Sequence, residues 1–570
     1  MADVSAQFPP QVLREYSLIA DGERGALIGP RGDIAWMCAP RWHDDAVFST
    51  LAGGGGIYAV SPDVDRAVWG GYYETGSLIW RSRWATNDVG IVESRDALAL
   101  PSDEHCALVL RCVTALDKPA PVRAVLDASA GFGQKPLRDI HRRGDVWTAR
   151  TGDLFVRWSG VDGVRRTALG YTSTRTVVPG DYWYLALEIS DRPFDRPPPD
   201  QKAAWEETET AWREIVPDLS GTVAPVDAYN AFTVLHGLTA ASGGMVAAAT
   251  TSLPERADQG RNYDYRYVWI RDQCYAGQAA AATGANRLLD SAVRFVSERL
   301  LADGPDLKPA YTVTGGKVPS ERSVRGIEGY PGGSDRVGNR VNEQFQLDVF
   351  GESLQLFAAA ARCDRLDKEH WRAVEVAAAA VEKRWREPDN GIWEIDAQRW
   401  THSRLMCVAG LRAISRIAPG KQAGRWTSLA DKVLAATTRD SLHESGRWQR
   451  SPDDDKVDAA LLLAGLRGAV APDDPRTAAT MAAVRQELCR DHYVYRFRQS
   501  PGPLDEAEGA FLLCGFLVAL AEHAAGDTVA AMRYFERNRA ACGPPGLYSE
   551  EYDICSDSCA ATFPRRSSTR

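Results

Sequence analysis

The feature of this sequence that most constrains its fold is a change in the spacing of apolar residues near residue 200. Before that point, short runs rich in Val, Ile, Tyr, Trp and Thr are separated by Gly, Asp and Pro, as in GGIYAVSP (residues 55–62) and DYWYLALEIS (residues 181–190). Such runs are typical of an antiparallel all-β domain. We therefore expect residues 1–200 to form a β-sandwich.

Beyond residue 200 the pattern becomes helical. The proline-rich segment RPFDRPPPD (residues 192–200) ends the β pattern, and residues 201–225, with Trp205 and Trp212, predict a helical linker. From residue 226 to 570, helical spacing predicts eleven helices of similar length, without strands between them. They lie near 226–241, 264–282, 286–302, 340–363, 368–387, 401–417, 422–437, 454–468, 474–490, 504–525 and 527–540.

Eleven consecutive helices joined in this way predict a closed double ring of helix hairpins whose long loops gather at one end. Such a ring ordinarily has twelve helices, so the count predicts that the last helix is missing. The helices share no motif at a fixed spacing, which argues against an ordinary helical repeat protein.

The charge balance limits the class of partner. The formal net charge is −9, from 67 basic and 76 acidic residues without long runs of one sign. This gives no electrostatic footprint for nucleic acid or for an anionic membrane, and it suits a neutral small-molecule substrate. No secretion signal begins the sequence, and no segment approaches about 18 uninterrupted apolar residues. We expect a cytoplasmic protein; association into a homo-oligomer stays open.

The cysteines do not predict a disulfide framework. The chain has eleven cysteines, an odd number, scattered along its length, and this favours reduced thiols. Cys555 and Cys559 are the one pair that suggests a metal site, but no neighbouring Cys or His pair completes a zinc set. We therefore expect no metal ion and no organic cofactor.

A loop between two predicted helices carries a candidate acid. Hydrolysis of a glycosidic bond needs one carboxylic acid to protonate the leaving oxygen and one carboxylate to activate water or attack the anomeric carbon. In PDNGIWEIDAQRW (residues 388–400), Glu394 directly follows Trp393. An apolar ring beside a carboxyl favours its protonated form. The alternative is a simply solvated loop glutamate.

A second acidic candidate follows the last predicted helix. In GLYSEEYD (residues 546–553), Glu550 and Glu551 lie between Tyr548 and Tyr552. Without further information, two adjacent glutamates are most simply explained as a hydrated loop.

The segment RNYDYRYVWIRDQCY (residues 261–275) combines aromatic and charged residues at the start of one helix. Sugar sites place aromatic faces against C–H surfaces and charged groups against pairs of hydroxyls, and this segment offers both. A core aromatic cluster with a structural Arg–Asp pair is the alternative. The members are Arg261, Tyr263, Tyr265, Tyr267, Trp269, Arg271 and Asp272.

In this order, these segments resemble glycoside hydrolase family 15, which includes glucoamylases and some trehalases. Residues 14–51 are similar to the family's N-terminal entry, and TSLPE with RNYDYRYVWIRD to its first barrel signature. Further matches are RVGN with EQFQLDVFGE, DNGIWE with WTHSRLMC, AEGAFLLCGF, and LYSEEYD. Together they cover nearly the whole chain.

The resemblance implies an N-terminal antiparallel β-sandwich packed on an all-α (α/α)6 barrel, and an inverting mechanism. By position, Glu394 matches the general acid and Glu550 the general base, whose carboxyls should stand about 6.5–9.5 Å apart. Arg271 and Asp272 match the pair that holds hydroxyls of the non-reducing glucose. The other matched pocket positions are Tyr265, Trp393, Trp269, Arg261, Gln344 and Glu508.

The C-terminal segment departs from the family pattern. After SEEYD the chain continues as ICSDSCAATFPRRSSTR, which keeps only Phe563 and Pro564 of the segment expected before a closing helix. The hypothesis is a truncated or frameshifted tail that exposes apolar faces and weakens support for Glu550.

Three functional readings follow. The first is a glucoamylase-like enzyme that releases β-glucose from the non-reducing ends of malto-oligosaccharides, and its alternative is a trehalase acting on α,α-trehalose. The second is a catalytically impaired carbohydrate-binding homologue, which retention of both Glu394 and Glu550 argues against. A helical scaffold is the third, and it leaves the cluster around Arg271 without a purpose.

Overall fold

The computed structural model describes residues 7–256, 261–499, 502, 504, 508–554 and 558–560. Within these ranges the chain forms an N-terminal antiparallel β domain followed by a helical domain, as the sequence predicts. Cys555 and the side chain of Cys559 lie outside the described residues, as does most of the tail after Asp553.

The β domain is a sandwich of two antiparallel sheets. The first sheet has the spatial order β1 (Ser17–Ala20), β2 (Gly25–Ile28), β3 (Asp33–Cys38), β5 (Ile57–Pro62), β10 (Ala120–Asp127), β15 (Gly170–Val177) and β14 (Arg165–Thr167), with β4 (Ala46–Phe48) paired to β3. The second has the order β11 (Arg138–Arg143), β12 (Val146–Thr151), β13 (Leu154–Ser159), β16 (Trp183–Ser190), β9 (Cys106–Ala115), β8 (Gly90–Leu98), β7 (Trp80–Thr86) and β6 (Val68–Tyr73).

Large aromatic side chains fill the space between the sheets. Tyr58 from the first sheet meets Trp158 from the second edge to face, with ring centroids 6.1 Å apart. Both residues are almost completely buried, as are Trp80 and Trp183. Aromatic residues alternate inward along these strands, and their burial is the main stabilising contribution in such a core.

One helix connects the two domains. It spans Gln201–Ile215 and begins with Asp200, whose carboxylate accepts a hydrogen bond from the Ala203 N–H. Trp205 and Trp212 are buried, and the Arg95 guanidinium lies 4.7 Å from the centre of the Trp205 ring. The helix is therefore packed against the second sheet rather than extended through solvent.

The described part of the helical domain contains eleven helices, the number that the sequence predicts. They are α1 (Pro225–Gly237), α2 (Ile270–Thr283), α3 (Asn286–Asp303), α4 (Asp348–Arg362), α5 (Lys368–Arg384), α6 (Thr401–Ser415), α7 (Gly420–Ser441), α8 (Leu463–Leu466, after a 3-10 turn at Ala459–Leu462), α9 (Pro475–Leu488), α10 (Leu512–Ala524) and α11 (Thr528–Arg539).

The helices form two layers. Helices α2, α4, α6, α8 and α10 pack in succession as an inner layer, and α3 packs on α5 outside them. The backbones of α4 and α6 approach closely at Gly351 and Gly410, where an added Cβ would lie 2.3 Å from a carbonyl oxygen of the neighbouring helix. The segments that precede α2, α4, α6 and α10 line one common cavity, so the loops before these helices meet at one end of the barrel.

Four helix predictions are too long at the N-terminal end. The segment predicted at 264–282 becomes helical only at Ile270, after a short strand at Val268–Trp269. The segment predicted at 340–363 becomes helical only at Asp348, after a 3-10 turn at Arg340–Glu343. The segment predicted at 504–525 begins at Leu512, and the one at 454–468 is reduced to 459–466. Residues 505–507 lie outside the described residues; the other omitted residues belong to segments at the converging end of the barrel.

The prediction that no strands separate the helices is also wrong. The loops contain short antiparallel pairs, which fix loop conformations that a helix cannot adopt. These pairs are β17 (Thr251–Arg256) with β18 (Arg261–Asp264), β19 (Val268–Trp269) with β20 (Ala310–Tyr311), β21 (Arg322–Ser323) with β22 (Arg336–Val337), β23 (Cys489–Arg490) with β24 (Tyr493–Val494), and β26 (Glu551–Asp553) between β25 (Ala510–Phe511) and β27 (Ser558–Ala560).

A buried arginine joins the two domains. Arg266 forms a two-point ion pair with Asp264, at 2.9 and 2.8 Å, and donates to the carbonyl of Asp44 in the β domain at 2.8 Å. Asp264 also accepts a hydrogen bond from the Gly338 N–H. The β domain therefore fixes the segment that leads into α2.

None of the helices that the structure describes has the length and apolar character of a segment that crosses a bilayer.

Candidate active site

A cavity of about 1190 Å³ opens at the converging end of the barrel. Its wall comes from the segment before α2, the loop before α4, the loop between α5 and α6, the start of α10 and the segment after α11. A large concave site lined by aromatic and charged groups is the expected form of a small-molecule binding site.

The cavity brings together nine of the ten residues that the sequence singles out. Glu508 instead lies behind the cavity wall, where it is 2% exposed. The nine that line the cavity are Arg261, Tyr265, Trp269, Arg271, Asp272, Gln344, Trp393, Glu394 and Glu550.

Glu394 lies in a tightly held loop. An antiparallel bridge between Asp389 and Gln398 closes the loop, and the Asn390 side chain donates to the carbonyl of Ile395 at 2.9 Å. Glu394 itself has a φ of 55°, in the left-handed region that side chains other than glycine rarely adopt. Such backbone strain persists where the surrounding structure imposes it, and it is concentrated at functional sites.

The Glu394 carboxylate contacts groups from α2. The indole N–H of Trp269 donates to Glu394 Oε1 at 2.6 Å, and Arg271 Nη2 lies 3.7 Å from the same oxygen. The side chain keeps 24% of its surface exposed toward the cavity. The carboxyl is thus oriented by one hydrogen-bond donor and a nearby cation while it remains accessible to a substrate.

Trp393 lines the cavity, but its indole N–H does not hydrogen-bond the adjacent Glu394. Its indole N–H donates to both carboxylate oxygens of Asp458, at 2.9 and 3.0 Å, and its ring meets Phe511 edge to face. The ring therefore forms a fixed part of the cavity wall. The indole that hydrogen-bonds Glu394 is that of Trp269.

Arg271 is held by hydrogen bonds to the loop that precedes α4 and to the first residue of that helix. Its Nη1 donates to Gln346 Oε1 at 2.7 Å and to Asp348 Oδ2 at 3.2 Å. Gln346 in turn donates to Gln344 at 2.9 Å. Beside Arg271, burial raises the pKa of the Asp272 carboxyl, and the Arg271 guanidinium opposes that rise. A fixed cation and a neighbouring carboxyl suit the recognition of sugar hydroxyls.

The two adjacent glutamates after α11 have opposite environments. Glu550 is exposed and lines the cavity. Glu551 is 1% exposed and accepts a hydrogen bond from the Gly509 N–H at 2.9 Å. Strand β26 begins at Glu551, where it pairs with Phe511 of β25. This geometry favours Glu550, rather than Glu551, as the residue that meets a substrate.

Glu508 fixes the wall near Arg261. The Arg261 guanidinium lies 3.6 Å from the Glu508 carboxylate and donates to Gln499 Oε1 at 2.5 Å. Gln499 also donates to Glu508. Glu508 thus contacts two residues, Arg261 and Gln499, that line the cavity.

Several residues at the site were not identified from the sequence. Gln346 and Asp348 belong to the motif EQFQLD, in which only Gln344 was selected, and Asp458 and Arg496 lie in segments that gave no signal. A carboxylate that supports an arginine or an indole has no distinctive sequence pattern, because its partner comes from another helix.

Asp389 is a buried carboxyl beneath the loop of Glu394. Its Oδ1 accepts hydrogen bonds from the Gly391 N–H and the Ser403 hydroxyl, both at 2.8 Å, whereas Oδ2 has no hydrogen-bond partner among the described residues. Burial raises the pKa of Asp389 to about 8, and the nearby Asp348 carboxylate adds to the effect.

This raised pKa predicts a pH-dependent stability difference between the native protein and Asp389→Asn. Between about pH 4 and pH 8 the folded chain holds a proton on Asp389 that the unfolded chain has lost, so the native free energy of unfolding falls as pH rises. The variant lacks this titration. The free energy of unfolding of the variant minus that of the native protein should therefore increase by about 1 kcal/mol for each pH unit from 5 to 8. Urea unfolding at each pH measures the gain, and a constant difference would contradict it.

Comparison with known proteins assigns the chain to a family. The model for glycosyl hydrolases family 15 matches residues 230–554, more than half of the chain. The chain belongs to this family. A second model, trehalase-like N-terminal, matches residues 6–161. The resemblance seen in the sequence is confirmed, and the protein is a glycoside hydrolase with a carbohydrate substrate.

Individual relatives extend the match along the whole chain. A trehalase from Mycobacterium tuberculosis is 29% identical over an alignment that covers 98% of this chain and 88% of the relative. A trehalase from Mycolicibacterium smegmatis is also 29% identical, with 98% and 89% covered. A bacterial glucoamylase solved with acarbose has a TM-score of 0.70 at 14% identity, covering 95% of this chain and 90% of its own. This structural match confirms the predicted sandwich and (α/α)6 barrel.

Proposed function

We propose that this glycoside hydrolase is a trehalase that cleaves α,α-trehalose with inversion at one anomeric carbon. The observation that carries the proposal is the alignment of two relatives named trehalase over 98% of this chain. A trehalase-like N-terminal domain, matched over residues 6–161, supports it further. This favours the trehalase alternative over the glucoamylase-like activity that the sequence first suggested.

In this mechanism one glucose of trehalose is held by Arg271 and Asp272, while Glu394 lies beside the glycosidic oxygen. Protonated Glu394 transfers its proton to that oxygen as the bond to the anomeric carbon breaks. The Trp269 N–H, 2.6 Å from Oε1, fixes the orientation of the carboxyl. It also stabilises the carboxylate that remains after proton transfer.

Glu550 completes the reaction from the other carboxylate position. It removes a proton from a water molecule whose oxygen attacks the anomeric carbon on the face opposite the leaving group. The new C–O bond forms as the glycosidic bond breaks, which inverts the configuration. The distance expected between the carboxyls, about 6.5–9.5 Å, stays a prediction.

Trehalose gives this mechanism a distinctive product pattern. Its glycosidic oxygen joins two anomeric carbons, both in the α configuration. The attacked glucose leaves as β-glucose with its new oxygen from water, whereas the other glucose keeps the glycosidic oxygen and leaves as α-glucose. We expect equal initial amounts of the two anomers.

Proton NMR of the anomeric signals during the first minutes, before mutarotation, measures this ratio. Repeating the reaction in H₂¹⁸O and trapping the products should place the label in β-glucose alone. Maltose and isomaltose serve as parallel substrates with the same enzyme preparation. Turnover of either one, with trehalose left intact, would overturn the trehalase proposal but preserve the glycoside hydrolase assignment.

A further inference from the structure

Arg496 lines the cavity and contacts both Trp393, next to Glu394, and Glu551, next to Glu550. It follows strand β24, and its side chain is 12% exposed. Its guanidinium carbon is 5.6 Å from the centre of the Trp393 ring and 5.1 Å from that of Phe511. A guanidinium stacked on aromatic rings is restricted in position, and it restricts those rings in turn. Arg496 thus contacts the residue next to Glu394.

The same guanidinium contacts two buried carboxylates. Arg496 Nη2 is 2.5 Å from Glu508 Oε2 and 3.4 Å from Glu551 Oε1. Glu508 and Glu551 are 2% and 1% exposed. Carboxylates buried this deeply are stable in the charged state only when a cation and hydrogen-bond donors compensate them. Arg496 supplies a cation to both carboxylates.

Holding Glu551 also constrains the backbone that carries Glu550. Glu551 is drawn inward by Arg496 and by the Gly509 N–H, and its backbone pairs with Phe511. The carbonyl of Glu550 accepts from the Leu512 N–H at 3.0 Å. Glu550 lies at a bend directly before β26 and lines the cavity, so a fixed Glu551 limits how far the Glu550 side chain can move.

We propose that Arg496 is a positioning residue that couples the two catalytic loops and sets the distance between Glu394 and Glu550. It acts on the first through Trp393 and on the second through Glu551. The proposal rests on the catalytic roles given above to Glu394 and Glu550. An inverting reaction requires this distance to admit one water molecule, so a cation that contacts both loops controls the rate of the chemical step.

The test compares Arg496→Gln and Arg496→Lys with the native enzyme on trehalose and on α-glucosyl fluoride. Fluoride leaves without protonation, so this substrate depends on the base and the water but little on the acid. We expect Arg496→Gln to lower kcat by about 10²-fold on both substrates, because misplacement of about 1 Å costs that much, while KM changes by less than about threefold. Arg496→Lys should restore part of kcat.

A double-mutant cycle locates the effect. Combined with Glu551→Gln, Arg496→Gln should lower kcat by much less than the product of the two single effects, because both remove the same contact. The matched control is Arg485→Gln, which removes the partner of Glu522, a buried carboxylate near the C-terminal end of α10 that does not line the cavity. It should lower the melting temperature and leave kcat within about twofold of native.

Two results would overturn the proposal. One is a native rate on α-glucosyl fluoride for Arg496→Gln, because the position of the base Glu550 would then not depend on Arg496. The other is a loss confined to KM or to thermal stability, which indicates a purely structural ion pair. If the native enzyme ignores trehalose but hydrolyses the fluoride, the trehalase proposal fails while the positioning role is still tested.

Discussion

Glu394→Gln is expected to reduce kcat on trehalose by about 10²–10⁴-fold, the range that general acid catalysis contributes. Glutamine keeps the shape of the side chain and can still accept the Trp269 hydrogen bond, but it has no proton to give the glycosidic oxygen. On α-glucosyl fluoride, which needs no protonated leaving group, the same variant should keep most of the native rate. Steady-state kinetics on the two substrates measures this contrast.

The control for this variant is Glu387→Gln. Glu387 precedes the same loop, pairs with Arg384 and lies outside the cavity wall. It should retain native kcat on both substrates. An equal loss of activity on trehalose and on the fluoride by Glu394→Gln would show that Glu394 does not act as the acid. The acid would then have to be sought among the other carboxyls of the cavity.

The fold class could be predicted from the sequence because it depends on long-range periodicity. Runs such as residues 181–190 are rich in aromatic and apolar residues and are bounded by turn residues, and the helical spacing beyond residue 226 continues through eleven segments. The errors lie at helix starts. Residues 340–347 and 508–511 have helix-compatible composition, but the structure uses them as a 3-10 turn, a cavity wall and a strand. Tertiary contacts with distant segments decide these conformations.

The site residues that belong to recognisable sequence motifs could be predicted. Arg271, Asp272 and Glu394 each lie in a recognisable segment, and the structure brings them to one cavity. The buried residues that hold these side chains in position could not be predicted. Asp348 and Asp389 come from different hairpins, and only the packing of α4 against α6 brings them near Arg271 and Glu394. Likewise, sequence order could not tell the exposed Glu550 from the buried Glu551.

Glu550→Ala is expected to lower kcat by about 10²–10⁴-fold on both trehalose and α-glucosyl fluoride, because loss of the base affects the attacking water whatever the leaving group. Azide is a nucleophile that needs no deprotonation, and the shortened side chain leaves room for it. With the fluoride as substrate, azide should form a bond to the anomeric carbon as fluoride departs. The product should be β-glucosyl azide, identified by NMR.

The neighbouring Glu551→Gln is the matched comparison for the base. Its side chain faces Gly509 and Arg496 rather than the cavity, so azide should give no glucosyl azide with this variant. Its kcat should fall by about tenfold through the altered loop rather than through lost base catalysis. If azide rescued Glu551→Gln but not Glu550→Ala, the two glutamates would have to exchange roles. The proposed coupling through Arg496 would then fail as well, because its guanidinium would contact the base directly.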